Sequence, residues 1–302
     1  MLPKGYYLHM SKKRVVVIGG GTGLFPVLSG LKNHFESPTA IITMADDGGS
    51  AGILRDGVRS EIIEVLPEAL DTEYWKPMKK NELTEFLKLI SVNEPDLNIH
   101  PKLDLRKVRA SKTPIIFTTG GNATIKGAQE VIKALAQVDR SIPWLYLIKT
   151  WPSISSFKAS LEELEIAQRL GVADRIRYIT GEFDREFIRG LMTLCDIYAA
   201  PSREEGFGLP LVEAQLCGKP VVSIAATATQ ETVVPDVTGF LAKAEPHGDL
   251  VRANVDDLAI YFRRLLTDNE LRKRMGAQAQ KHAKRFSPKH IAGQLLQLVE
   301  GH

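Results

Sequence analysis

The stretch from Pro201 to Pro220, PSREEGFGLPLVEAQLCGKP, constrains this chain more than any other. Before it, Asp196 to Ala200 is a short apolar run of the buried-strand type. Pro201 and Ser202 stop that strand, and Gly206, Phe207 and Gly208 form a loop too glycine-rich for a helix interior. Pro210 suits the first turn of a helix, where its missing N–H is not needed. Leu211 to Leu216 continue the helix, Gly218 is placed to end it, and Lys219 to Ser223 start the next strand. A strand–glycine loop–helix–strand unit leaves free N–H groups at the helix N-terminus, and these suit an anion.

Glu205 and Glu213 bracket that anion site, with seven residues between them. An ionised carboxylate only accepts hydrogen bonds, so it holds hydroxyl groups. Donors at the centre and acceptors on either side suit a sugar–diphosphate–ribose. A solvated glutamate pair on a β–α crossover would show the same two residues. The glycines, the proline and the flanking strands weigh for the ligand site.

The run EEGFGLPLVEA resembles the signature of the retaining GT-B glycosyltransferases. The resemblance covers about residues 59–302. It implies an α/β fold with a Rossmann-like parallel sheet of GT-B type. It also implies that Glu205 contacts the donor sugar as a catalytic residue and that Glu213 holds the ribose hydroxyls. The backbone of Gly206, Phe207, Gly208 and Leu209 would then lie against the donor.

From Pro114 onward, strand-like and helix-like runs alternate. Strands are expected at Ile115 to Thr119, Trp144 to Lys149 and Ile176 to Thr180. Helices are expected from Gly127 through Val138, from Ser156 to Leu170 on apolar positions Leu161, Leu164 and Ala167, and from Arg185 to Cys195. Thr238 to Leu241 reads as a late strand, and Val255 to Val299 as mostly helical. Such alternation means a parallel sheet covered on both faces, with ligands outside the carboxyl ends of its strands. Gly120 and Gly121 follow the first of these strands, and Lys126 follows them. An ammonium there can neutralise a diphosphate, or it is simply a solvated lysine at a helix start. By resemblance Lys126 is the phosphate-binding lysine, catalytic through the leaving group. The arginine that the family pairs with it is missing, because Thr119-Gly-Gly-Asn122 stands in its place. By resemblance too, the backbone around Phe183 cradles the base.

The N-terminal portion has a different character. Val15 to Ile18 reads as a strand, Gly19 to Gly23 as a turn, Leu24 to Phe35 as a helix, and Thr39 to Met44 as a second strand. VVVIGGGTGL with MADDGGSAGILR resembles the 2-phospholactate transferase/gluconeogenesis-factor-like family over about residues 14–57. That family's Pro-Pro-Gly-Asp continuation is absent, and Arg59 to Glu64 stand there instead. Asp46 and Asp47 read as a turn rather than a metal site, and no metal is expected. The organisation expected is a short Rossmann-like N-terminal region (1–58), a linker and interdomain segment (59–110) and a nucleotide-sugar-binding domain (111–302). Within 79–110, Glu82 to Ile90 reads as an amphipathic helix and the remainder as loop.

A formal net charge of +3 over 302 residues gives no reason to expect nucleic acid as a partner. Cys195 and Cys217 sit in apolar contexts with neither disulfide nor metal spacing, which fits a cytoplasmic protein. The uncharged run from Val15 to Leu31 carries five glycines and a proline and is a poor membrane span. Between Arg252 and Lys289 there are ten Lys or Arg against four Asp or Glu. That is a solvated helix face, with peripheral contact to anionic lipid as its second use. No histidine, His9, His34 and His100 included, falls in a recognisable catalytic motif. The expected function is transfer of a sugar from a nucleotide-diphosphate donor to an unknown acceptor hydroxyl with retention, without a cofactor. The alternatives are a nucleotide-sugar-binding module without turnover and a phospholactate-transferase-like protein.

Overall fold

The structure is a computed structural model. It describes residues 16–20, 39–43, 68–92, 98–100, 104–120, 125–226 and 228–301. These fall into two compact units. One takes in the described residues up to Leu70 and from Phe286 onward, and the other those from Asp71 to Arg285.

In the first unit, β1 (Val16–Gly20) and β2 (Thr39–Thr43) pair in parallel with Val16 opposite Thr39. The N-terminal strands therefore form where the apolar runs place them. The expected helix Leu24 to Phe35, the turn after β1 and the Asp46–Asp47 turn lie outside the described residues. At the far end of the chain, α10 (Pro288–Gly301) belongs to the same unit. The Leu70 N–H donates to the Phe286 carbonyl at 2.8 Å.

The second unit is built on a seven-stranded sheet. Its strands are β3 (Asn98–His100), β4 (Ile115–Thr119), β5 (Leu145–Thr150), β6 (Ile176–Thr180), β7 (Ile197–Ala199), β8 (Val221–Ile224) and β9 (Gly239–Ala242). Their order is β3-β6-β5-β4-β7-β8-β9, parallel throughout except for the antiparallel edge strand β3. The reversal from β4 toward β5 and β6 on one side, and toward β7, β8 and β9 on the other, opens a crevice at the carboxyl ends. Both faces are buried, so these strands read as unbroken apolar runs rather than as alternating ones.

The covering helices are α1 (Lys80–Val92), α2 (Leu105–Ala110), α3 (Ala128–Ala136), α4 (Ile154–Arg169), α5 (Arg185–Leu194), α6 (Leu209–Leu216), α7 (Thr229–Thr232), α8 (Val255–Thr267) and α9 (Asn269–Ala283). One core layer joins Val131, Ile132 and Leu135 of α3 and Leu258 and Phe262 of α8 to alternate residues of the sheet. Those residues include Ile116, Tyr146, Ile148, Ile197 and Val222. The other face carries Phe117, Leu147, Tyr198 and Val221, with α5 and α6 on that side. Side-chain caps start most of the helices. Asp104, Ser153, Asp184, Asn254 and Asp268 each accept a first-turn N–H.

Several expectations need correction. Residues 98–100 and 105–110 are not loop: the first adds a strand to β6, and the second is a short helix capped by Asp104. In α4 the buried line runs through Ser156, Ala159, Glu163 and Ala167, while Leu161 is exposed. The run after Val255 is mostly helical, as expected, and is divided at Asp268, which ends α8 and caps α9, and again before Pro288. A hairpin of β10 (Ala244–His247) and β11 (Leu250–Ala253), turning at Gly248 with φ +62°, has no counterpart among the expected elements.

Gly276 lies inside α9, where a Cβ would press on the carbonyl oxygen of Gly218. Ordinarily Gly→Ala in a helix interior gains about 1 kcal/mol. Here overpacking costs about 1–3 kcal/mol and wins. Gly276→Ala should therefore unfold at a lower temperature than the wild type in scanning calorimetry. A higher Tm would show that α9 does not rest on the Gly218 backbone.

Candidate active site

Two helices begin at the carboxyl edge of the sheet, and each has a left-handed glycine as its N-cap. Gly127 before α3 has φ +80°, and Gly208 before α6 has φ +86°. A Cβ on Gly127 would collide with the Pro201 carbonyl, so only glycine lets the start of α3 approach the loop after β7. The Arg203 N–H donates to the Ile125 carbonyl at 2.8 Å, which ties the same two segments together. Arg203 Nη2 also reaches Glu130 Oε1 of α3 at 2.7 Å and Gln129 Oε1 at 3.2 Å.

Lys126 and Glu205 meet across this junction. Lys126 Nζ lies 2.7 Å from Glu205 Oε2, and the side chains keep 22% and 12% of their exposure. Ser202, fully buried, donates its hydroxyl to the same oxygen at 3.1 Å. Gly120 lies beneath the lysine stem, where a Cβ would stand 2.7 Å from Lys126 Cγ. Gly206, Phe207 and Gly208 continue the loop from Glu205, and Leu209 opens α6. In the first turn of α6 Pro210 has no N–H and the Leu211 and Val212 N–H groups donate to the Gly208 carbonyl, at 2.9 and 3.2 Å, which leaves the Leu209 N–H as the amide for a ligand.

Glu213 lies one turn into α6, recessed but still reached by solvent. Burial raises its carboxyl pKa from the usual range to about 7, and Arg185 opposes the rise. The hydroxyl of Tyr198 on β7 is pushed far up by burial first, then by Glu213, with Glu205 adding to the rise, so both carboxyl groups act on one buried hydroxyl. Phe183 follows β6, lies over Gly181 and stacks on Phe187 at 4.1 Å between ring centroids. Asp184 fixes this turn by accepting the Phe187 N–H at 2.8 Å.

Of the residues singled out from the sequence, the structure brings Gly120, Lys126, Glu205 and Gly208 into one cluster, with Glu213 on the helix behind it. Phe183 stands at the neighbouring strand end, and Gly121 lies outside the described residues. The pair Arg203–Glu130, buried with 11% and 2% of side-chain exposure, was not singled out. An arginine beside Glu205 and a glutamate in the first turn of α3 were its visible signal. No group of three or more His, Cys, Asp or Glu residues suited to a metal occurs among the described residues. No described helix is long and apolar enough to cross a membrane. Part of the basic C-terminal face is already engaged within the protein. Arg272 donates to the Leu265 and Leu266 carbonyls at the end of α8, and Arg264 pairs with Asp236. Cys195 and Cys217 are buried free thiols.

Residues 102–282, more than half of the chain, match the family of glycosyl transferases group 1. The chain belongs to that family. Residues 15–63 match 2-phospho-L-lactate transferase CofD. A D-inositol 3-phosphate glycosyltransferase of Jonesia denitrificans is 32% identical over 198 residues, which is 63% of this chain and 44% of that protein. The chain thus spans under half the length of that curated relative. Among solved structures, Anabaena Alr3699/HepE in complex with UDP and glucose superposes with a TM-score of 0.66 at 21% identity. That match covers 93% of this chain and 68% of the other. The C-terminal domain of a glycosyl transferase group 1 family protein, LpcC, from Francisella tularensis gives 0.53 at 20% identity. It covers 71% of this chain and 96% of that domain. At these identities the superpositions establish the fold, a GT-B-type Rossmann domain.

The raised Glu213 pKa makes a stability prediction. The folded state keeps this proton up to about pH 7, whereas an unfolded glutamate releases it near its ordinary pKa of 4.5. The contribution is therefore fully present below that ordinary pKa and is lost as pH rises through about 7. Glu213→Gln removes the dependence. It should be more stable than the wild type at pH 8, by about 3 kcal/mol at most, and lose most of that advantage by pH 5. Urea melts at both pH values decide it. An equal difference at the two would mean that Glu213 is not desolvated.

Proposed function

We propose that this chain transfers a sugar from a nucleoside-diphosphate donor to an acceptor hydroxyl with retention. The donor would lie across the carboxyl ends of β4, β6 and β7. The observation that carries this reading is the Lys126–Glu205 contact at the start of α6, with Glu213 one turn along the same helix. Membership of the group 1 family supports it.

Each residue then has a separate task. The Leu209 N–H at the start of α6 and Lys126 take the negative charge that grows on the departing diphosphate, and stabilising that charge is where such a site gains most of its rate. Glu205, held by Lys126 and Ser202, faces the sugar. Glu213 accepts from the ribose hydroxyls, and the backbone at Phe183 meets the base. The loop glycines let backbone approach the donor. A UDP-sugar is the first donor to try, because the Anabaena protein was solved with UDP and glucose.

The two glutamates separate in a titration. Ribose is present in nucleotide and nucleotide sugar alike, so Glu213→Gln should weaken both. The loss is about 1.5–3 kcal/mol, roughly ten- to a hundredfold. Glu205→Gln keeps an acceptor for Lys126 and should spare UDP and GDP while lowering transfer or donor hydrolysis. Calorimetry with UDP, GDP and their glucose conjugates reads the affinities, and release of free sugar reads turnover. Affinities identical in the wild type and both variants would remove the donor site. Binding without sugar release or transfer would leave a nucleotide-sugar-binding module.

A further inference from the structure

Lys149 closes β5, and none of the tasks above uses it. Strand alternation sets its direction. Tyr146 and Ile148 enter the core shared with α3 and α8, so Lys149 projects from the other face of the sheet. Its register partner is Thr119, whose carbonyl accepts from the Tyr198 hydroxyl at 3.5 Å. Tyr198 is the residue whose hydroxyl both Glu213 and Glu205 act on. The Lys149 carbonyl also accepts the Gly120 N–H, directly below the stem of Lys126.

Lys149 is only 4% exposed. Its Nζ lies 4.1 Å from the centroid of the Trp151 ring and 5.9 Å from that of Phe183. It makes no hydrogen bond or ion pair with any described residue. Burial lowers its pKa, and Glu182 in the exposed turn after β6 opposes that from a distance. Trp151 keeps 43% of its exposure, so one of the two rings against which the cation rests is itself at the surface. Ring faces attract an ammonium, but they do not replace the hydrogen bonds it leaves behind in water.

The charge balance points to what such an ammonium can meet. Lys126 and Glu205 cancel each other, and Glu213 brings a further carboxyl. A nucleoside diphosphate carries a negative charge on each phosphate. With the lysine–glutamate pair neutral and Arg185 set against Glu213, a further cation favours such an anion. We propose that Lys149 is a binding residue of the donor site, its ammonium donating to a phosphate oxygen of the bound nucleoside diphosphate. The proposal rests on the donor-site reading above. A buried ammonium with no partner among the described residues is costly alone and is satisfied by a charge-assisted hydrogen bond to an anion.

The test uses the full chain and Lys149→Met, which keeps the length and removes the charge. Calorimetry measures UDP and GDP, and ligand-observed NMR measures the parent nucleosides. The diphosphates should bind ten- to a hundredfold more weakly to the variant, while nucleoside affinity stays within about twofold. The Tm of the free variant should equal or exceed that of the wild type, because a desolvated charge has gone. Lys149→Arg should retain diphosphate binding within a few-fold, and it serves as the probe should the methionine variant fail to fold. Loss of diphosphate binding by the arginine variant, unchanged diphosphate affinity in the methionine variant, or equal weakening of nucleoside and diphosphate would each overturn the assignment. A wild-type chain that binds neither UDP nor GDP would instead overturn the donor-site reading itself.

Discussion

The junction between the loop after β7 and the start of α3 is the constraint on which the rest of the site depends. Two ion pairs cross it, Lys126–Glu205 and Arg203–Glu130, together with the backbone bond from Arg203 to Ile125. Gly127 allows the approach by leaving room for the Pro201 carbonyl. Neither pair is worth much as net stability, because desolvation offsets most of the attraction between buried charges. Their effect is on position. Breaking either one leaves a buried charge without its partner, so the loop has few alternatives to the arrangement that aims Glu205 at the crevice.

Charge at the carboxyl edge is held under strain of a definite kind. Glu213 is desolvated enough to hold its proton to about pH 7, and Lys149 sits almost fully covered against two rings. Both destabilise the unliganded chain relative to neutral residues of the same size. Such groups are common where a ligand restores the lost solvation. The remainder of the sheet shows the opposite economy. Its strands are largely apolar, and polar groups they bury, such as Thr118 against Tyr146 and Tyr178 against Glu163, find partners.

Much of this architecture could be read from local chemistry. The strands at 115–119, 145–150 and 176–180 are apolar runs of the length a doubly covered sheet requires. Pro210 and Gly218 bracket α6 because one fits a first turn and the other, at φ +74°, fits the residue after the helix end. The short elements were not legible. Strand β3 has three residues, and its existence depends on pairing with β6, a partner far along the chain. Helix α2 has too few residues to show a period, although Asp104 offered a capping signal. The glutamates of the site were visible because seven residues on one loop and helix fix their separation. Arg203–Glu130 and Lys149 were not, since their meaning lies in neighbours brought by register and crossover. Leu161 misled because its apolar side chain occupies the outer line of α4.

The most direct measurement is a crystal structure of the chain soaked with UDP-glucose. The account predicts ribose hydroxyls about 3 Å from the Glu213 carboxylate. The diphosphate should lie over the loop at Gly206 to Gly208, within reach of Lys126. Nucleotide bound instead at β1 and β2 would contradict the central claim and move the site to the other unit.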